Sequence, residues 1–236
     1  LNVHGKITTG GALTVTGGAS GSNAVTIDGG ITAKSVSIST VKSITLADVN
    51  ATGGDVTLAT NLSSGVPTAG GLIQLLGAVQ TAGHNFSATS SRILVGDGAS
   101  ITTAGSANGT LHLTGNDTST SGASSSIVLG RGARLDAGHA QVYLDGKTAS
   151  THHGVEIRDG VILSATGDAA GSSYNGVGVY IKGTSTNTGS GISIQCPQQP
   201  CQPVQAISKL TLDGTSTLGK GIDLVGITVT RLAGAP

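Results

Sequence analysis

The sequence predicts an all-β protein, and more narrowly a right-handed parallel β-helix of about eight or nine coils with three short strands per coil. Three observations lead to this prediction. Charged residues make up only 10% of the chain and aromatic residues 2%, while 39 of the 236 residues are glycine. β-Branched residues and turn formers are abundant, which favours strands and turns over helices. Short apolar triplets recur along the chain, as is typical of a solenoid.

Most triplets place a small or polar residue between two apolar ones, as a strand with one buried face requires. Stretches rich in Gly, Ser, Thr and Asn separate the triplets, and three triplets make one coil of roughly 19 to 37 residues. We expect the apolar side chains to point inward and to stack from coil to coil. In chain order the triplets begin at Val25, Ile31 and Val36; Ile44, Val49 and Val56; Ile73, Val79 and Phe86; Ile93, Ile101 and Leu111; Ile127, Leu135 and Val142; Val155, Ile162 and Val179; Ile192, Ile207 and Leu210; and Ile222 and Ile227.

An earlier coil is indicated by an echo between two distant stretches. Residues 5–17 read "GKITTGGALTVTG", and residues 100–115 read "SITTAGSANGTLHLTG". We expect the two stretches to occupy the same part of two different coils. The whole of 1–236 is therefore predicted to be one β-helix segment, excised from a longer solenoid.

Composition and charge argue against several classes of function. The net charge is zero and aromatic residues are rare, so the chain lacks the basic, stacking surface that nucleic acids require. The longest apolar run, at residues 72–79, is too short to span a bilayer. Residues 214–221, "GTSTLGKG", mimic a phosphate loop, but Gly221 stands where Ser or Thr is needed and a strand is predicted next. No cofactor is predicted.

Degenerate repeats carry a resemblance to a known family: "GGDVTLAT", "GASITTAG", "GTLHLTGND", "GARLDAGHAQVYLDG" and "SKLTLDG". With these repeats the chain resembles the filamentous-haemagglutinin-type exoproteins of two-partner secretion, including the high-molecular-weight adhesins of Gram-negative bacteria. The Asn-Pro-Asn motif of that family's secretion domain is absent, so the resemblance is to a downstream segment. It implies a secreted adhesin at the cell surface, an outer-membrane secretion partner for the full-length protein, and a receptor or glycan on host or bacterial cells.

The only two cysteines, Cys196 and Cys201, lie in "CPQQPC". Without a nearby histidine they make a poor zinc site. An oxidising compartment favours a local disulfide. We predict a disulfide-stapled loop inserted at residues 196–204.

An alternative function is that of a polysaccharide lyase or hydrolase, because such enzymes also use β-helices. The densest set of titratable residues consists of Asp145, His152, His153, Glu156, Arg158 and Asp159. The aspartates Asp28, Asp97, Asp145, Asp159 and Asp213 all precede glycine, which is typical of turns rather than of catalysis. The adjacent histidines are expected to point apart and not to share a metal ion. We therefore predict no enzyme, no catalytic residue and no metal site.

Five Asn-x-Ser/Thr sequons are candidates for glycosylation, as in some proteins of the resembled family, although asparagine also suits solenoid turns. They are Asn50, Asn61, Asn85, Asn108 and Asn116. Adhesive contacts are expected from the longest loops, at residues 61–71, 116–126, 167–178 and 196–204. The scarcity of aromatics (Phe86, Tyr143, Tyr174 and Tyr180) argues against tight glycan binding. A passive structural shaft is the third interpretation.

Overall fold

The computed structural model describes residues 1–17, 23–60, 62–63, 66–67, 70–106, 109–122, 124–167, 178–196, 200–206, 209–226 and 229–231. These residues form three parallel sheets, here called A, B and C, and one short antiparallel hairpin. Each coil contributes one strand to sheet A, one to sheet B and one to sheet C, in that order. Within each sheet a strand pairs with its equivalents in the coils before and after it, and the first and last strands pair on one side only.

The first four coils contain fourteen strands, including the hairpin β10–β11 between coils 3 and 4. They are β1 (Asn2–Val3), β2 (Ile7–Thr8) and β3 (Ala12–Thr16); β4 (Ala24–Ile27), β5 (Ile31–Ala33) and β6 (Ser35–Thr40); β7 (Ser43–Leu46), β8 (Val49–Ala51) and β9 (Val56–Thr60); β10 (Leu62–Ser63) and β11 (Val66–Pro67); and β12 (Leu72–Leu75), β13 (Ala78–Gln80) and β14 (Phe86–Ser90).

Coils 5 to 8 are complete, and coil 9 has a strand in sheet A and one in sheet B. The strands are β15 (Arg92–Val95), β16 (Ser100–Thr102) and β17 (Leu111–Asp117); β18 (Ile127–Leu129), β19 (Arg134–Gly138) and β20 (Val142–Thr148); β21 (Val155–Arg158), β22 (Ile162–Ala165) and β23 (Val179–Ser185); β24 (Ile192–Gln195), β25 (Val204–Ala206) and β26 (Leu210–Ser216); and β27 (Ile222–Val225) and β28 (Val229–Arg231).

The predicted three-strand parallel β-helix is confirmed. Strands stacked at about 4.8 Å make a rod roughly 40 Å long. The two echoing stretches do occupy equivalent places: Ile7 and Ile101 both lie in sheet B, and Leu13 and Leu111 both lie in sheet C. No helix in the described part of the chain is long and apolar enough to cross a membrane.

The core is a set of inward columns that run along the rod. In sheet A, for example, Ile44, Ile73 and Ile93 pair in register across successive coils and are at most 1% exposed. Coil 4 holds the chain's one phenylalanine, Phe86, which is fully buried beside the small Ala88 of the same strand. Alternating inward and outward side chains thus turn the triplets into a continuous apolar interior.

The corner between sheet C and sheet A is built in two ways. In coils 2 to 4 the inward position there carries a buried hydroxyl residue, Thr40, Thr60 or Ser90. In coils 6 to 8 the same position is glycine, and a Cβ there would overlap the carbonyl of a second glycine across the corner. The facing pairs are Gly146 with Gly154, Gly183 with Gly191, and Gly214 with Gly221. Only glycine allows two backbones to approach so closely.

This corner corrects two expectations about turns. Asp145–Gly146 and Asp213–Gly214 are not turns, because both pairs lie inside seven-residue strands, β20 and β26. Glycine is required at these two positions because a Cβ would overlap the backbone on the other side of the corner, and not because of a turn conformation. The phosphate-loop mimic at residues 214–221 has the same origin, since its first and last residues, Gly214 and Gly221, face each other across the corner.

One triplet differs from the prediction in which residue points inward. In β22 the inward residue is Leu163, and Ile162 points outward in register with Arg134. The expected inward Ile162 is therefore wrong by one residue, which moves every side chain of a strand to the opposite face. Ile207 and Ile227 lie outside the described residues, and the adjoining sheet B strands are Val204–Ala206 and Val229–Arg231.

Candidate functional surfaces

The predicted disulfide between Cys196 and Cys201 is present, with the two Cα atoms 5.7 Å apart. It closes an excursion between β24 and β25, in the turn from sheet A to sheet B of coil 8. Equivalent turns of other coils are short. The disulfide therefore marks one defined turn of the rod; the enclosed residues 197–199 lie outside the described part of the chain.

An ion pair between the partly exposed Arg131 and the buried Asp159 fastens this loop to the coils below it. The guanidinium of Arg131 donates from Nε to Asp159 Oδ2 at 3.0 Å and from Nη2 to the carbonyl of Pro200 at 2.9 Å. Asp159 Oδ2 also accepts the backbone N–H of Gln202 at 3.3 Å. Because the Asp159 side chain is fully buried, it acts as a structural anchor spanning coils 6 to 8.

Glu156, the only glutamate, lies on the outer side of β21 but is 9% exposed. Its carboxylate accepts hydrogen bonds from Ser125 Oγ at 2.8 Å and from Arg158 Nε at 3.0 Å. Burial favours the neutral acid, but the hydrogen bonds from Ser125, Arg158 and Gln195 outweigh it and hold the pKa of Glu156 below its ordinary value. The side chain is thus an ionised carboxylate with its partners in place, unlike a general acid, whose pKa is raised.

His153 takes part in the same network through its ring and its backbone. The ring nitrogen Nδ1 accepts the N–H of Ser190 at 3.0 Å, and the backbone N–H donates to Ser125 Oγ at 3.2 Å. Burial is the main reason why the pKa of His153 is lowered; the carboxylate of Glu156 opposes it. Among the described residues, no group of three or more His, Cys, Asp or Glu side chains is placed to hold a metal ion.

The six residues of the alternative enzyme site do not form one cluster: Glu156, Arg158 and His153 share a network, but Asp145 and Asp159 lie apart from it. Asp145 lies on sheet C beside Tyr143, Glu156 lies on sheet A with Arg158, and Asp159 is buried in a turn with Arg131. Proximity in the sequence misled here because β20, β21 and the following turn lie on different sides of the rod. Each carboxylate has a local partner that explains its position.

The three described sequons differ in accessibility. Asn50 is exposed on β8 and lines a shallow groove of about 410 Å³ together with Lys6, Asp48 and Gln80. Asn85 is exposed, but its Oδ1 accepts from both the N–H and the hydroxyl of Thr110 at 3.0 Å. Asn116 lies in β17, and its Oδ1 is buried. Asn61 and Asn108 lie outside the described residues.

The most distinctive outer surface was not predicted from the sequence. His112, Tyr143 and Tyr180 pair in register on three successive strands of sheet C and point outward. The rings of Tyr143 and Tyr180 are parallel within 4° with centroids 5.4 Å apart, and His112 meets Tyr143 edge-on at 4.5 Å. A signal was available, since each is the central residue of the third triplet of its coil: Leu-His-Leu, Val-Tyr-Leu and Val-Tyr-Ile.

A polar column runs beside these rings, two residues further along the same strands. It consists of Thr114, Asp145, Lys182 and Asp213. Three hydrogen bonds tie the columns: Thr114 Oγ1 to His112 Nε2 at 3.2 Å, Tyr143 Oη to Asp145 Oδ2 at 3.4 Å, and Tyr180 Oη to Asp213 Oδ2 at 3.0 Å. We call the seven side chains of the two columns the tyrosine strip.

The strip is partly open to solvent. His112 and Asp213 are exposed, and Tyr143, Tyr180 and Lys182 are half-buried. Although His112 is exposed overall, its ring packs against Tyr143 and is partly removed from water, which lowers the pKa of His112; the nearby carboxylate of Asp145 opposes this. His112 is therefore predominantly neutral near pH 7, so the strip presents aromatic rings, carboxylates and one ammonium group side by side.

Comparison of the chain with protein-family models, with curated proteins and with solved structures finds no match. The assignment of a function therefore depends on the geometry of the rod and on the chemistry of its surface.

Proposed function

We propose that this chain is a segment of a secreted adhesin displayed at the surface of a Gram-negative bacterium. The β-helix acts as a rigid rod, and side chains on its outside contact a receptor or glycan on host cells or on other bacteria. The full-length protein would be exported with an outer-membrane secretion partner. The observation that carries the proposal is the tyrosine strip, in which aromatic, carboxylate and ammonium side chains lie together on one face of a rigid scaffold.

Two features of the chain support this role. Inward columns of Val, Ile and Leu run through the coils with almost no solvent exposure, which favours a stiff, protease-resistant body. The disulfide at Cys196 and Cys201 suits an oxidising compartment outside the cytoplasm. A stiff body with a surface-bound contact region is the arrangement an adhesin requires.

The test is an attachment assay with the purified chain coupled to fluorescent beads. We expect the beads to attach to cultured epithelial cells or to bacterial cells, and the free chain to compete. The matched control is the double variant Thr14→Ala/Thr57→Ala, which changes the outer face of sheet C away from the strip and should attach normally. Absence of attachment to every cell type would favour a passive shaft.

The same preparation tests the enzymatic alternative. The chain is incubated with a panel of surface polysaccharides, and retention and product release are recorded together. Retention without turnover is expected of an adhesin. Release of products that is lost in Glu156→Gln would instead identify a polysaccharide-active enzyme.

A further inference from the structure

We propose that the tyrosine strip binds a neutral, extended oligosaccharide whose sugar rings lie along the axis of the rod. This inference rests on the proposed adhesive function and deepens it, because it names the surface and the chemical class of ligand.

The outward edges of the rings supply an amphipathic contact surface, because Tyr143 and Tyr180 cover one another's faces and His112 meets Tyr143 edge-on. Tyrosine offers apolar area next to a hydroxyl group, and the apolar C–H face of a pyranose has the matching character. Tyr143 and Tyr180 remain partly accessible while lying parallel to each other. Their hydroxyl groups are held by Asp145 and Asp213, so little side-chain entropy is lost when a ligand binds.

The neighbouring column supplies the hydrogen bonds that sugar hydroxyl groups need. Asp145 and Asp213 accept, and Lys182, which lies between them in register, donates. Hydrogen bonds to charged groups are stronger than those between neutral ones. An acceptor–donor–acceptor order along the rod matches a chain of hydroxyl groups, each of which both donates and accepts.

The charges of this surface balance. Asp145 and Asp213 are offset by Lys182 and by Lys147, which is exposed in the next outward column. His112 adds little charge near neutral pH, since burial disfavours its protonated form. A balanced surface does not attract anions or cations over long distances. The ligand is therefore expected to be neutral and to bind through short-range contacts.

The spacing favours an extended chain. Equivalent side chains of successive coils repeat at about 4.8 Å along the rod, which is close to the length of one residue in a straight β-1,4-linked glycan. The outward edges of Tyr143 and Tyr180, with their hydroxyl groups, can then each meet one sugar residue. A curved α-1,4-linked glycan would lose this match after one or two residues.

The experiment is an NMR titration of the isotope-labelled chain with cellotetraose and with N-acetylchitotetraose, and with maltotetraose for comparison. We expect saturable shifts at coils 5 to 8 with at least one β-linked probe, at a Kd of about 1 mM, and much weaker binding of maltotetraose. Tyr180→Ala should weaken binding by about tenfold or more. Tyr180→Phe, which keeps the ring, should bind within about threefold of the unmodified chain.

Thr57→Ala is the matched control, because Thr57 lies in the same outward column two coils before His112. It should leave the Kd unchanged. Absence of saturation with both β-linked probes at about 20 mM, shifts that map outside coils 5 to 8, or equal binding of maltotetraose would each overturn the inference.

The titration of the unmodified chain tests the inference even if Tyr180→Ala does not fold. It also separates the two proposals. Cell attachment that persists without oligosaccharide binding would overturn this inference and leave the adhesin, with another surface responsible for contact. Oligosaccharide binding without cell attachment would overturn the adhesin proposal and leave the oligosaccharide-binding inference standing.

Discussion

The two halves of the rod share a core but solve the same corner differently. In coils 2 to 4 the strands of sheet C have five or six residues and end at hydroxyl residues, with Thr60 and Ser90 bonded to each other at 2.5 Å. In coils 5 to 8 these strands have seven residues and run through the corner on glycine. The buried position at this corner can thus hold either a hydroxyl side chain that forms a hydrogen bond or a glycine, which has no side chain.

The outer face of sheet C changes at the same place along the rod. In coils 1 to 4 the outward column carries Thr14, Ser37, Thr57 and Ser87. In coils 5 to 7 it carries His112, Tyr143 and Tyr180. Packing therefore constrains the inward side chains of every coil, whereas the outward side chains can differ from coil to coil and can carry function.

The largest expected effect is that of Gly183→Ala. Its Cβ would overlap the backbone of Gly191, and backbone cannot yield as a flexible side chain does. We expect a loss of about 3 kcal/mol in the free energy of unfolding, the upper part of the usual range for overpacking. Urea denaturation followed by circular dichroism measures it.

Gly10→Ala is the control for this substitution, because nothing lies within 4 Å of a Cβ at Gly10. It should change the free energy of unfolding by no more than about 0.5 kcal/mol. Equal effects of the two variants would show that the corner does not require glycine in the second half of the rod.

The next effect concerns the stapled loop of coil 8, which has no equivalent in the first half. The double variant Cys196→Ser/Cys201→Ser should lower the free energy of unfolding by about 2 kcal/mol. The loss is modest because a disulfide that closes a short loop stabilises the fold less than one that closes a long loop. Thermal unfolding with and without dithiothreitol measures it. Reductant should destabilise the unmodified chain and leave the double variant unchanged.

A smaller effect is expected at the hydroxyl corner of the first half. Thr60→Val removes one partner of the buried Thr60–Ser90 hydrogen bond and should cost about 1 to 2 kcal/mol, since Ser90 is left without its partner. Thr60→Val/Ser90→Ala removes both partners and should recover most of that loss. A double-mutant cycle in urea measures the coupling, and strictly additive losses would contradict it.

The smallest effect is a dependence on pH that is confined to the second half. His112 and His153 have pKa values lowered from 6.5 by burial. The unfolded chain therefore binds protons first on acidification, so their contribution is present above pH 6.5 and is lost as the pH falls through the lower folded pKa values. Glu156 adds to the same trend at more acidic pH, because its folded pKa is also lowered.

Hydrogen exchange at pH 7.5 and at mildly acidic pH measures this dependence by region. Amides of coils 5 to 8 should lose protection relative to those of coils 2 to 4. His153→Gln should reduce the difference, because glutamine does not titrate. Equal loss of protection along the whole rod would contradict the prediction.

Much of the fold could be predicted because a solenoid repeats one local pattern. Apolar triplets mark strands wherever they occur, and their order assigned most of them to the correct sheet. The errors arose where local rules compete: Ile162 and Leu163 are both apolar, so the alternation did not decide which points inward. Asp-Gly is a turn signal, but Asp145–Gly146 serves a corner between sheets.

The surface was harder to predict than the core. The disulfide could be predicted because the chain has only two cysteines and an oxidising compartment was expected. The alternative enzyme site, in contrast, grouped Asp145, Glu156 and Asp159 because they are close in the sequence. The structure separates them onto different sides of the rod. Conversely, Tyr143 and Tyr180 are 37 residues apart in number and yet stack.

The repeat, the number of sheets and the position of the stapled loop could be predicted from the residues alone, because these depend on side-chain alternation and on residues close along the chain. Which outward residues are neighbours depends on the folded rod. Loops of unequal length separate equivalent positions by variable distances in the sequence, and hydrogen-bonded register between coils brings them together. The tyrosine strip and the glycine corner therefore both depend on that register.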